Sequence, residues 1–186
     1  MIGAVLAGGK GSRFGRASKP AALLAGRPLV AYPVEALSAV CDRVAVVCKR
    51  STSLPSVDGA ERWEEPDEPR HPLTGIVHAL TRARGEPVLV CAADMPFVTA
   101  DACRTLLAAP QKGLAVVAAA DGVLQPTFGL YAPGALEPLR AAPPDGRLTD
   151  AVEALAPTRV AFPARLVRSV NTPEELAEAE RLLAAA

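Results

Sequence analysis

Aromatic residues and histidine are scarce in this sequence. Its 186 residues include one tryptophan, two tyrosines, four phenylalanines and two histidines. A surface on which the bases of single-stranded nucleic acid stack needs several aromatic side chains, so this composition argues against such a protein. The two histidines lie seven positions apart with no carboxylate placed to orient them, and we expect them on the surface or on a helix rather than at a metal.

Net charge and long apolar runs are also lacking. Lysine and arginine together number 20, and aspartate and glutamate also number 20, so the formal charge is zero. A protein that binds nucleic acid or an anionic membrane usually carries a basic excess. No apolar run approaches the roughly 20 residues that cross a bilayer. We therefore expect neither nucleic acid nor membrane among the partners.

The four cysteines form no CxxC pair. Cys48 and Cys91 lie inside apolar runs, where a free thiol behaves as a small hydrophobic side chain. This pattern predicts reduced, buried thiols in a cytoplasmic protein rather than disulfides or a zinc site.

Apolar runs typical of strands alternate with segments of helical periodicity. The runs IGAVLA, RVAVVCK and EPVLVCAAD predict buried strands, and ERWEE predicts a short additional one. The segments PLVAYPVEALSAV, PLTGIVHALTRAR and TADACRTLLAA predict helices, the first beginning at Pro28 and the third capped by Thr99. This alternation predicts a parallel sheet with right-handed crossovers.

The second half of the chain departs from that alternation. Asp121 and Gly122 separate two strand candidates and form a strong hairpin signal, which predicts at least one antiparallel strand. Near the end, Thr172, Pro173 and Glu175 predict a capped helix. We therefore expect a single domain over residues 1–186, with a three-layer α/β fold and a mostly parallel, Rossmann-like sheet.

A glycine-rich loop follows the first predicted strand, in AGGKGSRFGRASK. In an open α/β sheet, ligands bind beyond the carboxyl ends of the strands, where this loop must lie. Gly8, Gly9 and Gly11 allow backbone N–H groups to converge on phosphate oxygens. Arg13 and Lys19 supply positive charge for the same oxygens. We predict a phosphate-binding loop; the alternative is a surface loop with solvated charges.

Asp94 ends the apolar strand in VLVCAADMPFV and should reach the same edge of the sheet. Nucleotide triphosphates bring Mg²⁺, which prefers one or two carboxylates together with phosphate oxygens and water. We predict that Asp94 binds this metal ion. The alternative is a turn or N-cap aspartate, since Pro96 follows two residues later.

Two other phosphate-binding loops fit less well. The Walker A pattern is absent from the sequence, and Gly9, Gly11 and Gly15 give only a loose variant of the dinucleotide-binding fingerprint. The second strand ends in Cys48-Lys49-Arg50, without the acid that binds a ribose hydroxyl. Two basic residues there would suit a 2′-phosphate, so an NADP-binding oxidoreductase remains an alternative.

Five segments, in order, resemble the molybdenum cofactor guanylyltransferases, the MobA family of nucleotidyltransferases. LAGGKGSRFGRASKP resembles the nucleotide loop of that family, and CAADMPFV resembles its metal segment. HPLTGI resembles a further turn, with His71 in place of the usual glycine. LQPTFGLY and VNTPEEL resemble the two segments on the side of the cofactor substrate. The resemblance covers nearly the whole chain and implies the nucleotidyltransferase type of α/β fold.

The resemblance implies transfer of GMP from Mg-GTP to the phosphate of molybdopterin, with release of pyrophosphate. Such a nucleophile is already anionic near neutral pH, so the reaction needs alignment and charge neutralisation rather than a general base. Mg²⁺, Arg13 and Lys19 would supply that neutralisation, and Asp94 would hold the metal ion. By the same resemblance, the residues in contact with the nucleotide would be Leu6, Ala7, Gly8, Gly9 and, at the phosphates, Lys19.

The sequence departs from the family at three of these positions. Cys48 stands where an asparagine usually helps to read guanine, and Glu64 or Glu65 stands where an aspartate is usual; we take Glu65. Ser169 replaces the first of two asparagines on the pterin side and leaves Asn171. The alternatives are therefore a nucleotidyltransferase that uses CTP or another phosphorylated acceptor, and a nucleotide-binding regulator without catalysis. Transient contacts with other cofactor-biosynthesis proteins are also expected.

Overall fold

The structure is a computed structural model that describes residues 1–9, 19–143 and 146–184. Strands and helices alternate along most of this length. The strands are β1 (Ile2–Leu6), β2 (Leu23–Leu24), β3 (Arg27–Pro28), β4 (Arg43–Cys48), β5 (Ala60–Glu64), β6 (Val88–Ala92), β7 (Ala115–Ala120), β8 (Val123–Tyr131) and β9 (Thr158–Ala161). The helices are α1 (Ala31–Ser38), α2 (Pro72–Ala83), α3 (Ala100–Ala108), α4 (Leu136–Ala141), α5 (Leu148–Glu153) and α6 (Pro173–Ala184). Short 3₁₀ turns cover Lys19–Ala21 and Pro133–Ala135.

Seven of these strands form one sheet in the order β5-β4-β1-β6-β8-β7-β9. Strands β5, β4, β1 and β6 pair in parallel, and β9 pairs in parallel with β7. Strand β8 is antiparallel to both of its neighbours, β6 and β7. The predicted mostly parallel sheet with an antiparallel strand is therefore confirmed.

Helices cover both faces of the sheet. Consecutive residues of a strand point to opposite faces, so a strand that is covered on both sides is apolar throughout. In β4, Val46 packs into the hydrophobic cluster on the side of α1 and α3, whereas Val47 packs into the cluster on the side of α2, α4 and α5. These two clusters make the three layers that the sequence predicts. Among the described helices, none is both long and apolar enough to span a membrane.

The predicted first helix begins later than expected. Pro28 lies in β3 and pairs with Leu23 of β2, and α1 starts at Ala31. The turn of this small ribbon is formed by Ala25 and Gly26, both with positive φ (48° and 77°). The Ala-Gly pair is a weaker turn signal than Asn-Gly, because alanine seldom adopts positive φ. The ribbon was therefore not expected.

The predicted hairpin and helix caps are present. Asp121 and Gly122 adopt φ values of 50° and 79° between β7 and β8. Thr99 caps α3 by accepting a hydrogen bond from Ala102 N at 3.2 Å. Thr172 likewise accepts from Glu175 N at 3.2 Å at the start of α6. The Glu175 carboxylate accepts from the backbone N–H of Asn171, one residue before the position in the usual capping box.

Candidate active site

Four parallel strands end at one edge of the sheet, and backbone hydrogen bonds fix the chain just beyond them. Ala7 N donates to Val47 O at 2.8 Å, and Ala93 N donates to Leu6 O at 3.0 Å. Glu65 N donates to Cys48 O at 2.9 Å. Because these bonds prolong the ladders of β1, β6 and β5 by one residue, the side chains that follow are placed on an ordered rim.

A cavity of about 250 Å³ opens at this rim. Gly8 and Gly9 reach it from the end of β1, and Asp94 reaches it from the end of β6. The expectation that the glycine loop and this aspartate face one crevice is therefore confirmed for the residues described. The full lining is Leu6, Ala7, Gly8, Gly9, Lys19, Pro20, Glu65, Arg70, His71, Pro72, Gly75, Ala92, Ala93, Asp94, Thr127 and Ser169.

At one end of the cavity, Lys19 joins two of the predicted site residues. Its ammonium donates to Asp94 Oδ2 and to Asn171 Oδ1, the latter at 2.8 Å. Asn171 is held by the bond from its backbone N–H to Glu175, so the cap of α6 also positions this site residue. The backbone carbonyl of Asp94 accepts from Val170 N at 2.8 Å, which fixes the loop after β6 against the segment that precedes α6.

Asp94 fits the predicted cation. Its Oδ1 is buried and has no hydrogen-bond partner among the described residues, while Oδ2 is taken by Lys19. A buried carboxylate oxygen without a partner is costly unless a ligand completes it. Within the described ranges there is no cluster of three or more metal-ligating side chains. The donor set therefore suits Mg²⁺ that arrives with a polyphosphate and keeps oxygen ligands from it.

At the other end of the cavity, Lys49 and Glu65 form a buried ion pair. Lys49 Nζ lies 3.3 Å from Glu65 Oε1, and the side chains are 2% and 3% exposed. Burial raises the pKa of the Glu65 carboxyl, and the nearby Lys49 ammonium opposes that rise. Gly8 packs so closely that a Cβ at its position would lie 1.9 Å from Glu65 Oε1. A residue without a Cβ is therefore needed at position 8 to leave room for the Glu65 carboxylate, as well as for any bound phosphate.

The first turn of α2 forms part of the wall. His71 caps this helix, because its Nδ1 accepts a hydrogen bond from Leu73 N at 3.2 Å. This cap explains how histidine replaces the usual glycine in HPLTGI. Both histidines belong to α2 or its cap, as expected. The positive end of the helix dipole and the neighbouring Arg70 favour negative charge at this part of the rim.

The structure does not bring every predicted residue to the cavity. Cys48 is fully buried in the core on the side of α1, and burial raises the pKa of its thiol. Side chains alternate along a strand, so Cys48 points away from the rim and cannot contact a nucleotide there. Its placement at the base-reading position is corrected: Lys49, one residue later, is the neighbour of Glu65. Gly11 and Arg13 lie outside the described residues.

The choice between the two glutamates after β5 is clear. Glu64 is exposed and pairs with Arg50 and Arg62, whereas Glu65 lines the cavity.

Two features of the site were not predicted from the sequence: Arg70 lines the cavity, and Lys49 forms an ion pair with Glu65. A 2′-phosphate would need the two basic residues after β4, but the Lys49 ammonium is buried on Glu65, so the observation behind the NADP alternative is lost.

Solved structures with the same fold include known nucleotide-transferring enzymes. A molybdopterin-guanine dinucleotide biosynthesis protein A from Archaeoglobus fulgidus is 23% identical with a TM-score of 0.75, and the match covers 100% of both chains. A 2-C-methyl-D-erythritol 4-phosphate cytidylyltransferase from Thermus thermophilus is 20% identical with a TM-score of 0.72, over 97% of this chain and 98% of that one. The fold is thus of the nucleotidyltransferase type.

Sequence relatives narrow the class to a family. The profile of the MobA-like NTP transferase domain matches residues 3–160. A molybdenum cofactor guanylyltransferase from Cereibacter sphaeroides is 32% identical over 98% of this chain and 97% of its own length. The chain belongs to the MobA-like NTP transferase family and is a nucleotidyltransferase, as the sequence motifs predict.

Proposed function

We propose that the protein transfers the GMP moiety of Mg-GTP to the phosphate of molybdopterin and releases pyrophosphate. An oxygen of the acceptor phosphate forms a bond to the α-phosphorus of GTP. The bond from that phosphorus to the oxygen between the α- and β-phosphates breaks, and this oxygen leaves with pyrophosphate. The observation that carries this proposal is the meeting of Gly8, Gly9, Lys19 and Asp94 at one cavity. The names of the relatives support the choice of GTP and of this acceptor.

Lys19 and the glycines serve the phosphates. No atom of the described residues lies within 4 Å of the position that a Cβ on Gly9 would take, so this part of the chain leaves space for a ligand beside the Gly9 backbone. Lys19 is 16% exposed, and its ammonium can move from Asp94 and Asn171 to phosphate oxygens without leaving the rim. Charge on the triphosphate is neutralised in place, which lowers the barrier because no solvent has to reorganise.

Asp94 would hold Mg²⁺ through Oδ1, the buried oxygen without a partner in the described chain. When bound, the metal ion supplies charge neutralisation and alignment of the phosphates. Asp94 itself is fixed by two contacts, from Lys19 to its side chain and from Val170 to its backbone carbonyl. Its position is thus set before a ligand arrives.

Glu65 supports guanine as the base. A carboxylate accepts hydrogen bonds, and the edge of guanine presents two adjacent N–H donors, whereas cytosine presents an acceptor nitrogen beside its amino group. Oε2 of Glu65 is buried and unpartnered in the described part of the chain, so a donor from the base would complete it.

Thr127 and Ser169 line the cavity and support an acceptor that carries a phosphate. Their hydroxyl groups can donate hydrogen bonds to phosphate oxygens. They cannot act as strong bases, and the anionic acceptor does not require one. Asn171, beside Lys19, lies near the same part of the rim and would orient the acceptor or the ammonium.

The test is pyrophosphate release from Mg²⁺, molybdopterin and each of GTP, CTP and ATP, followed in parallel by titration calorimetry of the nucleotides. We expect release with GTP, and loss of it in Lys19→Met because the phosphates lose their neutralising cation. Faster release with CTP would identify a cytidylyltransferase. GTP binding without release with this acceptor would contradict the proposed reaction and favour another acceptor or a regulator. Tight NADPH binding without Mg²⁺ would favour the oxidoreductase.

A further inference from the structure

Lys49 is a buried lysine to which the proposed reaction gives no role. Its ammonium donates hydrogen bonds to the carbonyls of Pro66 and Pro69, the latter at 3.3 Å, and forms an ion pair with Glu65 Oε1 at 3.3 Å. The Lys49 side chain is 2% exposed and is not part of the cavity lining, whereas Glu65 is. Any effect that Lys49 has on binding must therefore act through its neighbours.

The main neighbour is Glu65, whose two carboxylate oxygens have different surroundings. Oε1 faces Lys49 and packs against Gly8. Oε2 is buried beside Gly75, where a Cβ would approach to 3.3 Å, and it has no partner among the described residues. Gly8 and Gly75 both line the cavity. One oxygen is thus engaged by the protein, and the other stands at the wall where the base would lie.

The same contacts tie down the segment between β5 and α2. The carbonyls of Pro66 and Pro69 belong to the loop that leads to Arg70 and His71, which line the cavity. Lys49 therefore connects the end of β4, the carboxylate after β5 and the loop before α2. A lysine that served only to neutralise one carboxylate would not need the two carbonyl contacts.

The charge state of Glu65 decides which base it matches. An ionised carboxylate only accepts hydrogen bonds, as the two N–H donors of guanine require. A protonated carboxyl group donates and accepts, and this pattern matches adenine, which has an acceptor nitrogen beside its amino donor. Besides Glu65, the charged or titratable groups that line the described cavity are Lys19, Arg70, His71 and Asp94. On α2, burial lowers the pKa of the His78 imidazole, and His78 is close enough to Lys49 for the charge of the ammonium to lower that pKa further.

We propose that Lys49 is a positioning residue for base selection. It holds Glu65 as an acceptor-only group with Oε2 fixed at the cavity wall, and so favours a base whose edge only donates. This inference rests on the proposed function, in which Glu65 contacts the base of a nucleotide triphosphate.

The experiment compares wild type with Lys49→Met by titration calorimetry of GTP and ATP, with Mg²⁺, from pH 6.5 to 9. In wild type we expect a preference for GTP that is nearly constant over this range. In Lys49→Met we expect the ratio of GTP to ATP affinity to fall at least tenfold at pH 7. The ratio should recover as the pH rises, because the Glu65 carboxyl then loses its proton again.

The matched control is Arg50→Met, which removes the next cation along the chain. Arg50 is 83% exposed and pairs with Glu64 outside the cavity, so its loss should leave the ratio and its pH profile unchanged. The double variant Lys49→Met/Glu65→Gln removes both charges of the buried pair and leaves no unpaired one. We expect a low ratio in this variant at every pH.

Three results would overturn the inference. The first is an unchanged ratio of GTP to ATP affinity in Lys49→Met: if both affinities fall equally, Lys49 has only a structural role, and if neither falls, it has no role in binding. A wild-type ratio that climbs steeply between pH 6.5 and 9 would show that Lys49 does not keep the carboxylate ionised. If Lys49→Met does not fold, the double variant decides, because a wild-type ratio in it would mean that the pair does not select the base. Failure of the proposed reaction is distinct, since wild type would then bind GTP without transferring it or bind no nucleotide.

Discussion

Two lysine–carboxylate pairs lie at the same edge of the sheet, on either side of β1, and they differ in exposure. The side chains of Lys19 and Asp94 are 16% and 20% exposed, whereas those of Lys49 and Glu65 are 2% and 3% exposed. Both pairs follow parallel strands or the loop beyond them at one edge of the sheet. Chemically similar groups are therefore held in different dielectric surroundings a short distance apart.

In the proposed reaction, this difference separates the pair that contacts the ligand from the pair that only supports the cavity wall. A pair in contact with water can separate at low cost, because solvent and phosphate replace the lost partner. A fully buried pair cannot, since either charge alone would lack solvation. Lys19 can therefore exchange Asp94 for phosphate oxygens during the reaction. Lys49 must remain on Glu65, and it acts on the ligand only through the wall that it holds.

The largest effect is expected at the partly exposed pair, Lys19 and Asp94. Asp94→Asn removes the charge that would hold Mg²⁺, and we expect transfer to fall by about 10²–10³-fold, the range for loss of one group that stabilises transition-state charge. The midpoint of thermal unfolding should change little, because Lys19 keeps its contact with Asn171. Pyrophosphate release and a melting curve check both parts. A variant that keeps more than a tenth of wild-type activity would contradict the assignment of Asp94.

Substitutions in the buried pair, Lys49 and Glu65, should mainly lower the stability of the fold, whereas substitution of Asp94 should mainly lower activity. Glu65→Gln leaves the Lys49 ammonium buried without its carboxylate, and we expect a loss of about 3 kcal/mol in the free energy of unfolding. Lys49→Met/Glu65→Gln should regain more than half of that loss. Urea denaturation measures both variants. The control is Glu64→Gln on the exposed side, expected within about 0.5 kcal/mol of wild type. Equal stability of wild type and Glu65→Gln would remove the contrast between the two pairs.

Two adjacent glycines sharpen the comparison. Gly8→Ala would place a Cβ 1.9 Å from Glu65 Oε1, so the carboxylate must move and we expect a loss of about 1–3 kcal/mol. The Cβ of Gly9→Ala would meet no atom within 4 Å in the described part of the chain, and this variant should stay within about 0.5 kcal/mol of wild type. Urea denaturation of the two variants side by side gives the answer. Similar losses in both would mean that Glu65 does not pack on Gly8 as described.

The smallest effect is expected at an ion pair on the surface. Asp42, at 2.6 Å, and Glu86, at 2.8 Å, raise the pKa of the amino group of Met1 from 8.0 to about 10. The stabilisation from these pairs is complete below pH 8 and is lost as the pH rises through 10, because the folded state holds the proton more tightly. Exposure keeps the effect small. Asp42→Asn should flatten the dependence of thermal stability on pH between 8 and 10, and an unchanged slope would contradict this.

Local sequence patterns predicted the elements that carry the site. The apolar runs that became β1, β4 and β6 placed Gly8, Gly9 and Asp94 at one rim, because parallel strands end on the same side. The hairpin at Asp121 and Gly122 and the cap at Thr172 followed from local preferences. The ribbon of β2 and β3 was missed, since its turn uses Ala25 in a conformation that alanine rarely adopts. Cys48 was placed at the cavity because it takes the position of an asparagine in the resemblance to the family, and such a match does not reveal which face of the sheet a side chain meets.

The order of residues determined the chemistry available here: glycines after one strand, an aspartate after another, lysines nearby, and almost no histidine to act as a base. Such features depend on residue type and short-range spacing, which are written in the chain. Only the tertiary structure decided that Lys19 can exchange its partner whereas Lys49 must stay paired with Glu65. The solvent exposure of each lysine and the distance from Lys49 to Glu65 arise when β4, β5 and α2 pack together. The free energy of a charge depends on those surroundings far more than on its neighbours in sequence.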